Sequence, residues 1–174
     1  MKELILGGAR SGKSTLAERL ALESGMEVTY LATAAPADGE MAERIARHRA
    51  RRPGHWTLVE EPVALAAALA RHAAGGRCLL VDCLTLWLTN LLALEDEARL
   101  AAERGALLEV LPDLPGRLIL VSNEVGLGIV PVNGLARRFR DEAGWLHQAL
   151  AARCERVVFT AAGLPLVLKG PPLA

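Results

Sequence analysis

Near the amino terminus the run Gly7-Gly8-Ala9-Arg10-Ser11-Gly12-Lys13-Ser14 satisfies every fixed position of the phosphate-binding loop pattern G-x-x-x-x-G-K-[ST]. An apolar run typical of a buried strand precedes it, and helical apolar spacing follows it. In this arrangement backbone N–H groups and the positive end of a helix surround a polyphosphate. We therefore expect the run to bind a nucleotide, with Lys13 on the β- and γ-phosphates and Ser14 on Mg²⁺. The alternative is a glycine-rich turn that binds no ligand.

The composition describes one domain of modest size without a general affinity for polyanions. The chain has 174 residues, 52% of them hydrophobic but only 3% aromatic, so leucine, alanine and valine must build the core. We expect a single catalytic domain over residues 1–170 and a loose tail over 171–174. The net charge of zero gives no pull toward nucleic acid or membrane surfaces, and no apolar stretch is long enough to insert into a bilayer.

The cysteines and the amino terminus indicate a cytoplasmic protein. Three cysteines, an odd number without metal-ligand spacing, do not form a disulfide framework, and Cys78 and Cys83 flank an apolar strand as buried thiols. Lys2 and Glu3 stand where a signal peptide would begin its apolar region. These features predict a soluble protein in a reducing compartment.

Strand-like and helix-like segments alternate along the chain, which predicts an α/β fold with a mostly parallel sheet and helices on both faces. The predicted strands after the first are 28–33, 57–59, 78–82, 117–121, 156–160 and 166–168. The predicted helices after the loop are 38–51, 62–73, 84–94, 95–111 and 135–152, and 112–116 is a turn. Ligands of such sheets bind outside the carboxyl ends of the strands. The residues at those ends are Thr33, Asp82, Asn123, Glu124 and the segment around Ala162 and Gly163.

Asp82 ends an apolar strand, which is where an aspartate that holds Mg²⁺ beside the loop serine belongs. The alternative is that Asp82 caps the helix that begins at Leu84. No Asn-Lys-x-Asp run occurs in the chain, and its absence argues against a regulatory GTPase.

A second candidate site is the basic segment around His48. On a helix His48 shares a face with Arg44, Arg51 and Arg52, and these cations disfavour a second positive charge on the ring. A neutral imidazole is a nucleophile, and arginines bind phosphate oxygens in pairs, so the segment suits attack on phosphorus. The alternative is a solvated basic face. The other histidines, at positions 55, 72 and 147, are expected to be structural.

Several motifs together carry a family resemblance from Leu4 to Lys169. They are the phosphate loop, residues 30–34, 40–48, 52–56, 81–92, 121–131 and 138–141, and Gly163-Leu164-Pro165 with Lys169. The runs Asp82-Cys83-Leu84-Thr85-Leu86-Trp87 and Ser122-Asn123-Glu124-Val125-Gly126 are the most specific of them. The chain resembles the bifunctional adenosylcobinamide kinase/adenosylcobinamide-phosphate guanylyltransferase family of cobalamin synthesis.

The resemblance implies two reactions on a corrinoid partner and a RecA-like phosphate-loop fold. A nucleoside triphosphate, ATP or GTP, phosphorylates adenosylcobinamide, and GMP from GTP is then joined to that phosphate through a guanylylated His48. It places GTP against Gly7 to Ser14, Ala32, Thr33, Ala34, Arg49, Ala50, Arg51, Arg52, Glu60 and Asp82. It also implies a homo-oligomer, with a trimer favoured. The chain departs from the family pattern at His147, where an asparagine is expected.

Two other functions compete with this interpretation. A plain small-molecule kinase, with the basic helix serving only as a lid, predicts ATP consumption and no covalent nucleotide on the protein. A nucleotide-binding switch without substrate chemistry predicts tight binding, slow hydrolysis and a protein partner. The missing Asn-Lys-x-Asp run and the family motifs disfavour both.

Overall fold

A computed structural model describes residues 1–34 and 53–173 and forms one seven-stranded sheet flanked by helices. The strands are β1 (Lys2–Gly7), β2 (Glu27–Ala32), β3 (Thr57–Glu60), β4 (Arg77–Asp82), β5 (Arg117–Asn123), β6 (Arg156–Ala161) and β7 (Leu164–Lys169). The helices of the described residues are α1 (Lys13–Glu23), α2 (Leu65–His72), α3 (Leu84–Ala93), α4 (Glu97–Val110) and α5 (Gly134–Arg153), and a 3₁₀ turn covers Leu111–Asp113.

The strand order is β3-β2-β4-β5-β1-β6-β7, and every neighbouring pair is parallel except the β6–β7 hairpin. The predicted α/β class with a mostly parallel sheet is confirmed. β5 lies between β1, which leads into the phosphate loop, and β4, which ends at Asp82. Because the strands are parallel, the carboxyl ends of β1 to β6 meet at one edge of the sheet. Gly7 pairs there with Asn123 and Thr160, and Ala32 with Glu60 and Asp82.

Both faces of the sheet are buried, as its continuous apolar strands require. One face packs against α3, α4 and α5 and contains Trp87, Leu107 and Leu146. The opposite face packs against α1 and contains Leu16 and Leu20 together with Tyr30 and Trp56. Leucine dominates the first cluster, whereas leucine, valine, alanine and isoleucine share the second, and the three cysteines are buried and free. No helix of the described ranges is long and apolar enough to cross a membrane.

At the end of the sheet opposite the site, a buried carboxylate joins three strands. Glu3 of β1 is only 1% exposed and accepts from Arg117 Nε of β5 and from Arg156 Nε of β6, both at 2.6 Å. Buried charges are stable when opposite charges and hydrogen bonds satisfy them, as they are here. This cluster links the three adjacent strands β5, β1 and β6.

Two sequence expectations differ from the structure, and one cannot be compared. The helix predicted from Pro62 begins at Leu65, because the Glu61 carboxylate accepts from the N–H groups of Val63 and Ala64 at 2.9 and 2.7 Å before the helix starts. The tail 171–174 is not loose as far as Leu173: the Pro172 carbonyl accepts from Arg156 at 3.0 Å, and Leu173 packs against the apolar face beside α1. The predicted helix 38–51 lies outside the described residues.

Candidate active site

The predicted phosphate loop lies between β1 and α1 and has the backbone that its glycines allow. Gly7 has φ +154°, and a Cβ there would lie 2.4 Å from the Thr160 carbonyl oxygen, so only glycine fits. Gly12, at φ +99°, precedes the first turn of α1. That turn contains no acidic residue, and no described side chain caps it. Its N–H groups therefore remain available to an anion.

The β6–β7 hairpin is hydrogen-bonded to the phosphate loop at Ser11. Ser11 Oγ lies 3.0 Å from Thr160 Oγ1, which in turn donates to the Leu6 carbonyl at 3.1 Å. The N–H of Gly163, in the hairpin turn, donates to the Ser11 carbonyl at 2.9 Å. The Ser11 side chain is therefore engaged with Thr160, and the Ser11 N–H donates to the Gly8 carbonyl at 3.3 Å. Sequence reasoning singled out this turn but could not show that it touches the loop.

Lys13 is buried at the base of the loop, with 7% of its surface exposed. Its Nζ donates to the Gly8 carbonyl at 2.7 Å. Burial lowers the pKa of this ammonium group, and the nearby Asp82 carboxylate opposes the shift. The structure thus brings two of the predicted residues, Lys13 and Asp82, within electrostatic range of each other although they lie far apart in sequence.

Asp82 carries the observation that best fits a metal site. Its Oδ2 is buried and has no hydrogen-bond partner among the described residues. Helix α3 is preceded by Cys83, not by Asp82, and has no side-chain cap, so the capping alternative for Asp82 is wrong. A buried carboxylate oxygen without a partner is costly unless a ligand satisfies it. Asp82 and the half-buried Ser14 in the first turn of α1 both carry side-chain oxygens, the type of ligand that Mg²⁺ prefers, and their assignment to a metal stays a prediction.

Residues 32–34 comprise the last residue of β2 and the two residues after it. Among them, the Thr33 side chain stabilises the backbone of a neighbouring segment. Its hydroxyl donates to the Cys83 carbonyl at 2.6 Å and accepts from the Cys83 N–H at 3.1 Å. The Thr33 side chain is therefore occupied in fixing the backbone next to Asp82. Ala32 and Ala34 are partly exposed at the same edge.

Two residues of α3 that sequence reasoning left without a role hold the neighbouring loops. Asn90 Nδ2 donates to the carbonyls of Thr33 at 2.8 Å and Pro62 at 3.0 Å, and Trp87 Nε1 donates to the Val63 carbonyl at 2.7 Å. The segments after β2 and β3 are thereby fixed against α3. An amide inside a largely apolar helix was the sequence signal that could have revealed this role.

The remaining predicted nucleotide contacts fall into two groups. Glu60 is exposed at the end of β3, one strand from Ala32 and two strands from Asp82. His48, Arg49, Ala50, Arg51 and Arg52 lie outside the described residues, and their roles stay predictions.

The end of β5 adds a polar cluster that includes a histidine predicted to be structural. The Glu124 N–H donates to the Gly7 carbonyl at 3.0 Å, which sets Glu124 beside the phosphate loop. His147 of α5 is buried, with Nε2 2.8 Å from Ser122 Oγ and Nδ1 3.6 Å from Glu124 Oε2. Burial lowers the pKa of His147, and the Glu124 carboxylate opposes that shift. This buried histidine thus faces the site, a contact that its helical position in the sequence did not reveal.

The family model described as cobinamide kinase / cobinamide phosphate guanyltransferase matches residues 3–168. The chain belongs to this family. The resemblance inferred from the motifs is thereby confirmed. The family's curated members include the bifunctional adenosylcobalamin biosynthesis protein CobP of Pseudomonas aeruginosa, which is 70% identical over 99% of this chain and 100% of its own length. The bifunctional adenosylcobalamin biosynthesis protein CobU of Escherichia coli is 39% identical over 97% of this chain and 100% of its own.

Solved structures of more distant proteins share the fold. The RadB recombinase superposes with a TM-score of 0.54 at 21% identity, covering 91% of this chain and 73% of its own. The flagellar accessory protein FlaH from Methanocaldococcus jannaschii gives a TM-score of 0.52 at 16% identity, covering 97% and 78%. These likenesses bear on the architecture alone, and they confirm the phosphate-loop NTPase fold of RecA type.

Proposed function

We propose that this protein catalyses two successive steps of cobalamin synthesis. It phosphorylates the aminopropanol hydroxyl of adenosylcobinamide with ATP or GTP, and then joins GMP from GTP to that phosphate with release of pyrophosphate. The observation that carries the proposal is the buried Oδ2 of Asp82, which has no hydrogen-bond partner among the described residues, within electrostatic range of Lys13 at the uncapped start of α1. That constellation suits phosphoryl transfer, and membership of the cobinamide kinase family supplies the substrate.

In the kinase step the protein positions the triphosphate and stabilises its charge. The N–H groups of the loop and of the first turn of α1 bind phosphate oxygens, and Lys13 moves its donor from the Gly8 carbonyl to the β- and γ-phosphates. Ser14 and Asp82 would hold Mg²⁺, which when bound neutralises phosphate charge. The corrinoid hydroxyl oxygen bonds to the γ-phosphorus, and the nucleoside diphosphate leaves with the electron pair of the broken P–O bond.

In the guanylyl transfer His48 is the proposed nucleophile. Its ring nitrogen bonds to the α-phosphorus of GTP, and pyrophosphate leaves with the bonding electrons. Arg51 and Arg52 neutralise the charge that develops on the phosphorus oxygens. A phosphate oxygen of adenosylcobinamide phosphate then displaces the histidine to give adenosylcobinamide-GDP. The basic character of residues 44–52 and the family resemblance support this assignment.

The nucleotide surface is proposed to extend from the phosphate loop along the carboxyl edge of the sheet. Ala32, Glu60 and Asp82 occupy paired positions on neighbouring strands at that edge, which supports their assignment to one surface. Ala34 and the segment Arg49 to Arg52 complete the proposed contacts.

We also propose that the protein forms a homo-oligomer, with a trimer favoured. The family resemblance suggests the trimer, and the segment after β5 supports a self-association surface. Leu127 is 81% exposed, and Ile129 and Val132 are each 97% exposed. Large exposed apolar side chains in one segment are typical of protein contacts. Light scattering of the purified protein should give three times the chain mass, and a monomer mass at micromolar concentration would contradict the proposal.

A histidine variant separates the two proposed activities. His48→Ala should phosphorylate cobinamide but form no adenosylcobinamide-GDP, while the matched control His55→Ala should do both. Product formation is followed by chromatography of the corrinoid after incubation with ATP, GTP and Mg²⁺. If His48→Ala still forms adenosylcobinamide-GDP, the histidine mechanism is wrong. If the wild type phosphorylates cobinamide but never transfers GMP, the protein is a plain kinase.

A further inference from the structure

We propose that Glu124 accepts the proton of the hydroxyl that attacks the γ-phosphorus, and that buried His147 positions Glu124 for this task. The inference rests on the kinase reaction proposed above. It assigns roles to the polar cluster of Thr85, Ser122, Glu124 and His147, which we call the β5 relay.

Glu124 stands where an acceptor hydroxyl must approach. It follows β5, the strand between the phosphate loop and the strand of Asp82, and its N–H is tied to Gly7. Its side chain is 22% exposed, so a substrate can reach the carboxylate. One oxygen, Oε1, accepts from the Gly126 N–H at 2.5 Å. In the described part of the chain no lysine or arginine forms an ion pair with Glu124.

The Glu124 carboxylate sets the hydrogen-bond direction of the β5 relay, because an ionised carboxylate only accepts and the ring nitrogen facing it must carry the proton. The Asn123 N–H donates to Thr85 Oγ1 at 2.7 Å, and the Thr85 hydroxyl can donate to Ser122 Oγ, which lies 3.4 Å away. Ser122 can then donate to His147 Nε2 at 2.8 Å. A neutral imidazole carries a single proton, which this direction assigns to Nδ1, on the side of Glu124.

The contact between His147 and Glu124 is set up to steer the carboxylate without neutralising it. His147 is 6% exposed, and burial lowers its pKa, so the ring is neutral near pH 7. Its Nδ1 has no partner within hydrogen-bond distance and lies 3.6 Å from Glu124 Oε2. Catalytic hydrogen bonds are often long before substrate binds, and a small movement of Glu124 closes this one. A neutral donor can fix the orientation of the carboxylate without placing a positive charge beside it.

The hydroxyl oxygen of the acceptor bonds to the γ-phosphorus while its proton passes to Glu124 Oε2. The bond between the γ-phosphorus and the bridging oxygen breaks, and its electron pair stays on the nucleoside diphosphate. Glu124 then returns the proton to solvent through its exposed side. Guanylylation of the enzyme by GTP involves no acceptor hydroxyl and does not need Glu124.

The first test compares the two activities in Glu124→Gln, with Glu109→Gln on the exposed face of α4 as the control. Glu124→Gln should lower kcat for cobinamide phosphorylation about 100-fold or more while the GMP adduct forms at the wild-type rate. The intact adduct reaction also shows that the variant is folded. A variant kcat equal to that of wild type, or equal loss of both reactions, would overturn the role of Glu124. A wild type that never phosphorylates cobinamide would refute the proposed kinase function itself.

The second test uses two replacements of His147, each of which places an amide near only one of the two ring nitrogens. His147→Asn places an amide N–H near the Nδ1 position, whereas His147→Gln reaches only toward Ser122. We expect His147→Asn to retain most of the kinase kcat and His147→Gln to lose about 10-fold or more, with KM for the nucleotide unchanged in both. A merely structural role would weaken both activities together. Equal kinase kcat values in the two variants, or the reverse order, would overturn the positioning role.

Discussion

At the residue scale, Lys13 is buried at the phosphate loop, where its ammonium group donates to the Gly8 carbonyl and lies within electrostatic range of Asp82. Lys13→Ala removes the donor to the transferring phosphate, so kinase kcat should fall by about 10²- to 10³-fold. Steady-state assays with cobinamide and ATP measure the loss. Lys13→Arg tests whether positive charge alone is enough. It keeps the charge but replaces the compact ammonium group by a planar guanidinium, and its kinase kcat should also fall. Unchanged turnover in Lys13→Ala would refute the assignment of the phosphate loop.

The lowered pKa of His147 makes the free energy of unfolding depend on pH. Its folded-state pKa lies below the unfolded value of about 6.5, because burial disfavours the charged ring. Its contribution to stability is therefore complete above pH 6.5 and is lost as the pH falls through the folded-state pKa. Urea unfolding between pH 8 and pH 5 should show a steeper acid loss for wild type than for His147→Asn. Parallel curves would contradict the prediction.

At the scale of elements, replacing glycine by alanine should change the free energy of unfolding in opposite directions at two positions. Gly105 is exposed in the middle of α4, where a Cβ meets nothing within 4 Å, so Gly105→Ala should raise the free energy of unfolding by about 0.5–1 kcal/mol. Gly116, before β5, has φ +78°, and a Cβ would lie 2.2 Å from the Ala74 carbonyl oxygen. Gly116→Ala should therefore destabilise the protein by about 1–3 kcal/mol. Chemical denaturation measures both, and a shift of the same sign in both variants would contradict the account.

The sequence predicted the features that a short run of residues encodes, and it did not predict contacts between residues far apart in the chain. The phosphate loop and the buried strands follow from short patterns of glycine and apolar residues, and Asp82 from its place after such a strand. The supports of the site are contacts between distant residues. Ser11 and Thr160 lie 149 positions apart, Thr33 and Asn90 lie 57 apart, and Ser122 and His147 lie 25 apart. No local pattern encodes these contacts, since only the strand order brings the residues together.

At the scale of the whole molecule, Glu3 ties β1 to β5 and β6 through Arg117 and Arg156. Glu3→Gln leaves two arginines without their buried counter-charge, so the free energy of unfolding should fall by about 3–5 kcal/mol. Urea denaturation measures the change. The control Glu23→Gln, in an exposed pair with Arg19, should change stability by less than about 1 kcal/mol. Equal effects in the two variants would show that the three-strand cluster does not hold the sheet together.

The central claim for the molecule is that one chain carries both a phosphate-loop kinase and a histidine that accepts GMP. Intact-mass spectrometry of the protein after incubation with GTP and Mg²⁺ tests this claim most directly. We predict a mass increase of one GMP that is labile in acid and absent from His48→Ala. If the wild-type mass is unchanged while ATP is consumed in the presence of cobinamide, the protein is a kinase alone and the account of His48 is wrong.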